Sequence, residues 1–228
     1  MKLVDEAIFL FRTNYSDTSL IATYYTKEHG LQKFMFKGGK KKSAVLFPLS
    51  IAEITFYGRH ESSLKNITNA VPALPLSFQF DPVRSMVAFF IAEVVRKCMI
   101  ESDKDLSLFE FLKNQISKLD VTENLIVFPI EFMLFFANQI GIMPFIETGN
   151  QTEFQFSEGK ITLGNTIKED DKGIELLTEI IQNKTINIGD YSKHARQNAL
   201  ELMIKHYEYH VPKIGEFETY AIVKEVLA

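Results

Sequence analysis

Cysteine is nearly missing from this chain: Cys98 is the only one in 228 residues. A single cysteine forbids an internal disulfide and a cysteine-built zinc site, and it suits a reducing cytoplasm. Cys98 itself sits in an apolar helical stretch and reads as packing. Long apolar runs are missing too. Ile8 to Phe11, preceded by Asp5-Glu6, is too short for a signal peptide. Leu125 to Ala137, the longest apolar region, is interrupted by Pro129 and Glu131 and reads as a core helix with no membrane role. The signatures of catalysis are also lacking: there is no P-loop spacing, dinucleotide fingerprint, nucleophile motif or paired acidic cluster. Neither an enzyme nor a cofactor is expected. The acidic run Glu169-Asp170-Asp171 opens a helix, where negative charge complements the dipole.

A general basic coat is the last absence, because the net charge is −4. Its distribution is uneven. Residues 1–80 carry ten Lys and Arg against six Asp and Glu, net +4; residues 81–228 carry fifteen against twenty-three, net −8. Any contact with a polyanion is therefore local to the front of the chain.

What is present there is Phe34-Met35-Phe36-Lys37-Gly38-Gly39-Lys40-Lys41-Lys42-Ser43, an apolar strand running into two glycines and three lysines. The glycines let the backbone turn sharply. The lysines could meet a phosphate backbone, or could simply solubilise a hairpin tip. Around this loop the first 78 residues read as β, with strands over Ala7–Thr13, Leu20–Thr26, Leu31–Lys37, Leu49–Tyr57 and Ser63–Ala70. Five short strands without a helical pattern predict a small barrel of the OB type, whose surface binds oligonucleotides. Phe36, Phe47, Phe56 and Tyr57 could stack on bases or fill the core, and Tyr57 is the strongest stacking candidate.

Val71-Pro72-Ala73-Leu74-Pro75 ends the β pattern. The pattern beyond predicts a mainly helical domain over 79–228, so the fold class is α+β. Asp81-Pro82 is an N-cap followed by proline at the first helical position, opening a helix to about Ile100. Further helices are expected over Leu106–Leu119, Thr122–Gln139, Lys168–Gln182, Ser192–Tyr209 and Phe217–Leu227. A small β-hairpin is expected near 153–163, where Phe154 and Phe156 alternate with polar residues before Glu158-Gly159. His206 and His210 stand four apart on one helix face, a spacing compatible with a metal, but the H-E-x-x-H order is not met. A structural role for the pair, and no bound metal, is the expectation.

One ordered set of pieces goes further. Thr26-Lys27-Glu28-His29-Gly30 is followed by a strand, by the basic loop ending at Ser43, and by Phe47-Pro48-Leu49. This order resembles the N-terminal domain of the bacterial RecO family, whose pattern is a T-x-E-H-G turn, a strand, a basic loop ending in serine, and an L-x-P-F segment. The Phe47-Pro48-Leu49 match is looser, and a weaker likeness continues through the helices. Many such proteins carry four zinc-binding cysteines near the small hairpin; with only Cys98 present, zinc is not carried over.

The resemblance implies a cytoplasmic DNA repair and recombination mediator. Such a protein would bind single- and double-stranded DNA, anneal complementary strands, and help load RecA, together with RecR, onto DNA coated by single-strand-binding protein. On this reading Lys37, Lys40, Lys41, Lys42 and Tyr57 contact DNA. Arg84, Arg96 or Lys97 would accept the acidic, apolar-ended tail of single-strand-binding protein. Two other classes compete: a protein-interaction adaptor whose barrel ignores nucleic acid, favoured by the acidic pI, and a metal-dependent hydrolase built on His206 and His210.

Overall fold

Alternation of inward and outward side chains dominates the first 72 residues. The computed structural model, which describes residues 2–39, 43–58, 64–99 and 104–226, closes them into a barrel. Its strands are β1 (Lys2–Asn14), β2 (Ser19–Thr26), β3 (Gly30–Lys37), β4 (Ile51–Tyr57) and β5 (Lys65–Pro72). They neighbour one another in the order β1-β2-β3-β5-β4, and β4 returns to pair with β1. Every pairing is antiparallel except β3 with β5, where Phe34, Met35 and Phe36 face Lys65, Asn66 and Ile67 in parallel. This is the expected five-stranded OB arrangement, and closure leaves no free strand edge. The inward rings form one cluster: Phe9 meets Tyr24 at 5.3 Å, Tyr24 meets Phe34 at 6.0 Å, and Phe34 meets Phe56 at 5.0 Å between centroids.

Strand β4 starts later than the apolar run suggests. Leu49 is buried and left-handed, with φ of 66°. A branched residue seldom adopts that conformation, and here it cannot continue a strand. Its N–H donates to Phe9 O at 2.8 Å, and Phe9 N–H donates to Ser50 O at 2.9 Å. The entry to β4 is thereby locked to β1, next to the bulge between Phe9 and Phe11.

Two helices follow. α1 (Pro82–Cys98) opens as anticipated, with the Asp81 carboxylate accepting from Val83 N and Arg84 N. α2 (Leu106–Val121) is capped by Asp105, which accepts from Leu108 N at 2.9 Å. Both lean on the barrel. Tyr25 stacks on Phe109 at 6.3 Å, Lys27 pairs with Glu110 at 3.1 Å, Lys113 pairs with Glu6 at 2.7 Å, and the Arg96 guanidinium lies 4.6 Å over the Phe11 ring. The chain therefore divides into compact units at Thr122/Glu123, whereas the β-to-helix switch near residue 78 marks only the end of the barrel.

The second unit is built on α3 (Phe128–Gln139), which carries Phe132 stacked on Phe136 at 5.5 Å. α3 begins at Phe128, not at Thr122. Proline lacks an N–H and fits a helix at its first turn, and Pro129 occupies that position. The expected hairpin is one edge of a three-stranded sheet: β6 (Phe145–Thr148), β7 (Glu153–Gln155) and β8 (Lys160–Leu163), in the order β6-β8-β7. α4 (Lys172–Ile181), α5 (Lys193–His210) and α6 (Tyr220–Val226) complete the unit. The helix expected from Lys168 begins at Lys172, because Glu169–Asp171 form a 3₁₀ turn. Among the described residues, no helix is long and apolar enough to cross a membrane.

Candidate nucleic-acid interface

β3 ends at Lys37, where the basic segment of the sequence begins. Lys37 is exposed on the outer face. Gly38 follows at φ of 67°, the left-handed region that glycine enters without penalty. Gly39 is required for a different reason: a Cβ there would stand 2.8 Å from Cγ of buried Phe36. Lys40, Lys41 and Lys42 lie outside the described residues. The chain returns through a 3₁₀ turn at Ser43–Val45, and Val45 and Leu46 enter the barrel core. There the hydroxyl of Tyr24 donates to Val45 O at 3.0 Å. Both flanks of the loop are thus set by buried contacts.

Phe36 and Phe56 are excluded as base-stacking residues, because both are buried in the barrel. Phe47 packs on Phe78 and Phe89, at 5.8 and 5.5 Å. Tyr57 remains, 45% exposed on the outer face of β4.

The Thr26–Gly30 motif is a locked turn. Thr26 Oγ1 accepts from His29 N and donates to Gly30 O, at 3.1 and 3.0 Å. The buried Asp5 carboxylate accepts from Glu28 N at 3.2 Å and lies 2.8 Å from His29 Nδ1. Gln32 Nε2 donates to His29 O, and its Oε1 accepts from Lys65 Nζ at 2.7 Å. Burial pushes the Lys65 ammonium below its ordinary range, partly offset by Asp5. These groups tie β1, β3 and β5 together, which gives the motif a structural role.

The cations proposed for a protein tail are engaged within their own unit. Arg84 donates to Thr122 O at 2.7 Å and to Leu119 O, and its Nε stands 3.4 Å from Asp81. Arg96 covers Phe11, and Lys97 lies 3.4 Å from Glu93. On α1 the neighbouring Val83, Met86 and Phe89 are exposed, as is Phe80 before it.

His206 and His210 are brought together on α5, with ring centres 4.4 Å apart. His206 Nε2 donates to Ile142 O at 2.6 Å, and His210 Nε2 lies 2.8 Å from Phe156 O. The ring nitrogens facing those carbonyls are occupied by hydrogen bonds. Phe154 packs against both Phe156 and His206, at 4.7 and 5.3 Å. Aromatic packing and these two bonds hold the small sheet to α5. Among the described residues, no cluster of three or more His, Cys, Asp or Glu is arranged to hold a metal ion.

Pattern reading passed over Lys2 and Asn66, which the register sets on either side of Tyr57. Lys2 lies before the strand expected over Ala7–Thr13, and only the pairing of β1, β4 and β5 makes the three neighbours.

Residues 1–75 match the family model described as the N terminal of recombination protein O. The chain is 25% identical over 238 residues to the DNA repair protein RecO of Flavobacterium psychrophilum, with all of both chains covered. It is 27% identical over 234 residues to the DNA repair protein RecO of Phocaeicola vulgatus, covering 97% of each. With the RecO of Bacteroides fragilis it shares 25% over 233 residues, 96% of each chain. The resemblance carried by the first 50 residues thus extends along the whole chain.

Proposed function

We propose that this chain, similar to RecO proteins from end to end, is a DNA repair mediator that performs no covalent chemistry. It binds single- and double-stranded DNA, anneals complementary strands, and acts with RecR to place RecA on DNA coated by single-strand-binding protein. The observation that carries the reading is the closed OB-type barrel whose β3 ends in Lys37-Gly38-Gly39-Lys40-Lys41-Lys42, with both flanks of that segment buried or locked. Lysines on such a loop neutralise phosphates as mobile point charges, so contact is independent of sequence. Exchange of many weak contacts, not bond making, drives annealing and hand-over. The exposed apolar side chains of Phe80, before α1, and of Val83, Met86 and Phe89 along it suit the apolar end of an acidic tail; Arg84, Arg96 and Lys97, the cations proposed for the acids, would have to exchange their present partners to take part.

The test is a salt titration of single-stranded DNA binding. Each lost phosphate contact flattens the log–log slope by about 0.7, so alanine at Lys40, Lys41 and Lys42 together should weaken binding and flatten the slope by up to about 2. A folded wild-type protein that binds neither single- nor double-stranded DNA would favour the adaptor reading, in which the barrel serves only protein contacts.

A further inference from the structure

Among the described residues, the contacts that α1 and α2 make with the barrel strands fall on β1 and the β2 end, through Arg96 on Phe11, Phe109 on Tyr25 and the pairs Lys27–Glu110 and Lys113–Glu6. A second stretch of the barrel's outside is shared by the start of β1, then β4, β5 and β3, which neighbour one another in that order. Register places Lys2 beside Tyr57, Tyr57 beside Asn66, and Asn66 beside Met35, one row across four strands. The residues that follow these in sequence, Leu3, Ile67 and Phe36, pack into the barrel, as does Phe56 before Tyr57, so the row points outward. Lys2, Tyr57 and Asn66 are exposed and Met35 is half-buried. Lys37 lies two residues beyond Met35 on the same side of β3.

We infer that a single nucleic-acid strand crosses the barrel on this face, its bases over Tyr57 and Asn66 and its phosphates toward Lys2 and Lys37. The inference rests on the DNA-binding reading above and assigns the face that reading leaves open. Charge favours the polyanion: the row itself holds no carboxylate, and the first acid along β4 is Glu53, four residues from Tyr57, or about 13 Å. Chemistry favours unpaired bases: an exposed tyrosine offers a face to any base but reaches none inside a duplex. Asn66 supplies both a donor and an acceptor to base or sugar. A peptide adding as a strand is disfavoured because a closed barrel has no edge to extend. Four strands at about 4.8 Å spacing make the row about 14 Å long, room for about four stacked nucleotides at about 3.4 Å each. A bulge reinforces the surface: the register slips between Thr55 and Phe56, and Thr68 Oγ1 donates to Thr55 O at 3.2 Å. Bulges of this kind re-aim neighbouring side chains.

The chain contains no tryptophan, so Tyr57→Trp introduces a single fluorescent reporter at the centre of the row. Titration of the full chain with a short oligothymidylate should quench that fluorescence in step with binding measured independently. Tyr57→Ala should weaken binding about five- to a hundredfold, while Tyr57→Phe stays near wild type. Asn66→Asp, which sets a carboxylate in the path, should weaken binding several-fold and more so at low salt. If wild type binds with a salt-dependent affinity but the tryptophan is unquenched and Asn66→Asp is silent, the strand runs elsewhere and this inference is overturned while DNA binding stands. Equal quenching by blunt duplex overturns the single-strand assignment. No binding by wild type sinks the DNA reading and this inference with it. Should Tyr57→Trp fail to fold by circular dichroism, Asn66→Asp alone decides, and unchanged affinity refutes.

Discussion

Replacing His206 with glutamine should remove a specific acid sensitivity of the second compact unit. His206 is 1% exposed on α5. Its Nε2–H donates to Ile142 O, which leaves Nδ1 unprotonated, and among the described residues buried Nδ1 has no hydrogen-bond partner. Burial pushes the imidazole down from 6.5 to about 4; the Ile142 carbonyl opposes the shift and the nearby His210 adds to it. The unfolded chain therefore takes up a proton near the ordinary value, and the folded chain resists until about pH 4. The stability contributed by neutral His206 is complete above the unfolded value and is lost as pH falls through this window. Linkage puts the loss at about 1 kcal/mol by about pH 5.5 and about 3 kcal/mol in all. That is a large share of a typical total of roughly 5–15 kcal/mol. The glutamine amide can still donate to Ile142 O but has no proton to gain. Urea unfolding of both proteins at about pH 7.5, 5.5 and 4.5 isolates the effect, since carboxylates common to both cancel in the difference. The wild-type advantage should shrink by about 2–3 kcal/mol between the first and last conditions. A difference independent of pH would show that the imidazole is not held neutral by burial.

Further outcomes follow from the loop's anchors. Gly39→Ala should cost about 1–3 kcal/mol in thermal or urea unfolding, because its Cβ collides with the Phe36 ring in a filled core. Trimming that ring in a Phe36→Leu background should shrink the added cost of Gly39→Ala; an undiminished cost would point to backbone strain as the cause. Tyr24→Phe strips Val45 O of its buried donor and should cost about 1–3 kcal/mol by urea unfolding. Hydrogen exchange should also quicken at the Ser43–Val45 turn, and unchanged exchange there would mean that the turn is held by Val45 and Leu46 packing alone.

Local chemistry was legible wherever a residue acts through its own neighbours. Alternation over Leu31 to Lys37 marked β3 and the inward side of Phe34 and Phe36, and Asp81-Pro82 marked the start of α1. The likeness of the Thr26–Gly30 turn, basic loop and Phe47-Pro48-Leu49 to RecO was readable because those pieces lie close together in sequence. The small sheet was only half legible. Strand β6 is short and follows Pro144, and its partner β8 pairs in parallel across an intervening strand, so no turn signal links the two.

By itself, the sequence determined the strand and helix content, the barrel class and the cationic loop, because backbone propensity, side-chain alternation and glycine placement act over a few residues. Only the tertiary structure decided that α1 and α2 belong with the barrel, that Phe36 and Phe56 are core while Tyr57 faces out beside Lys2 and Asn66, and that the His206 and His210 rings are committed to backbone carbonyls. These outcomes depend on which distant segments meet. Burial and hydrogen-bond satisfaction are settled across a closed barrel and a packed helix, where partners stand tens of residues apart.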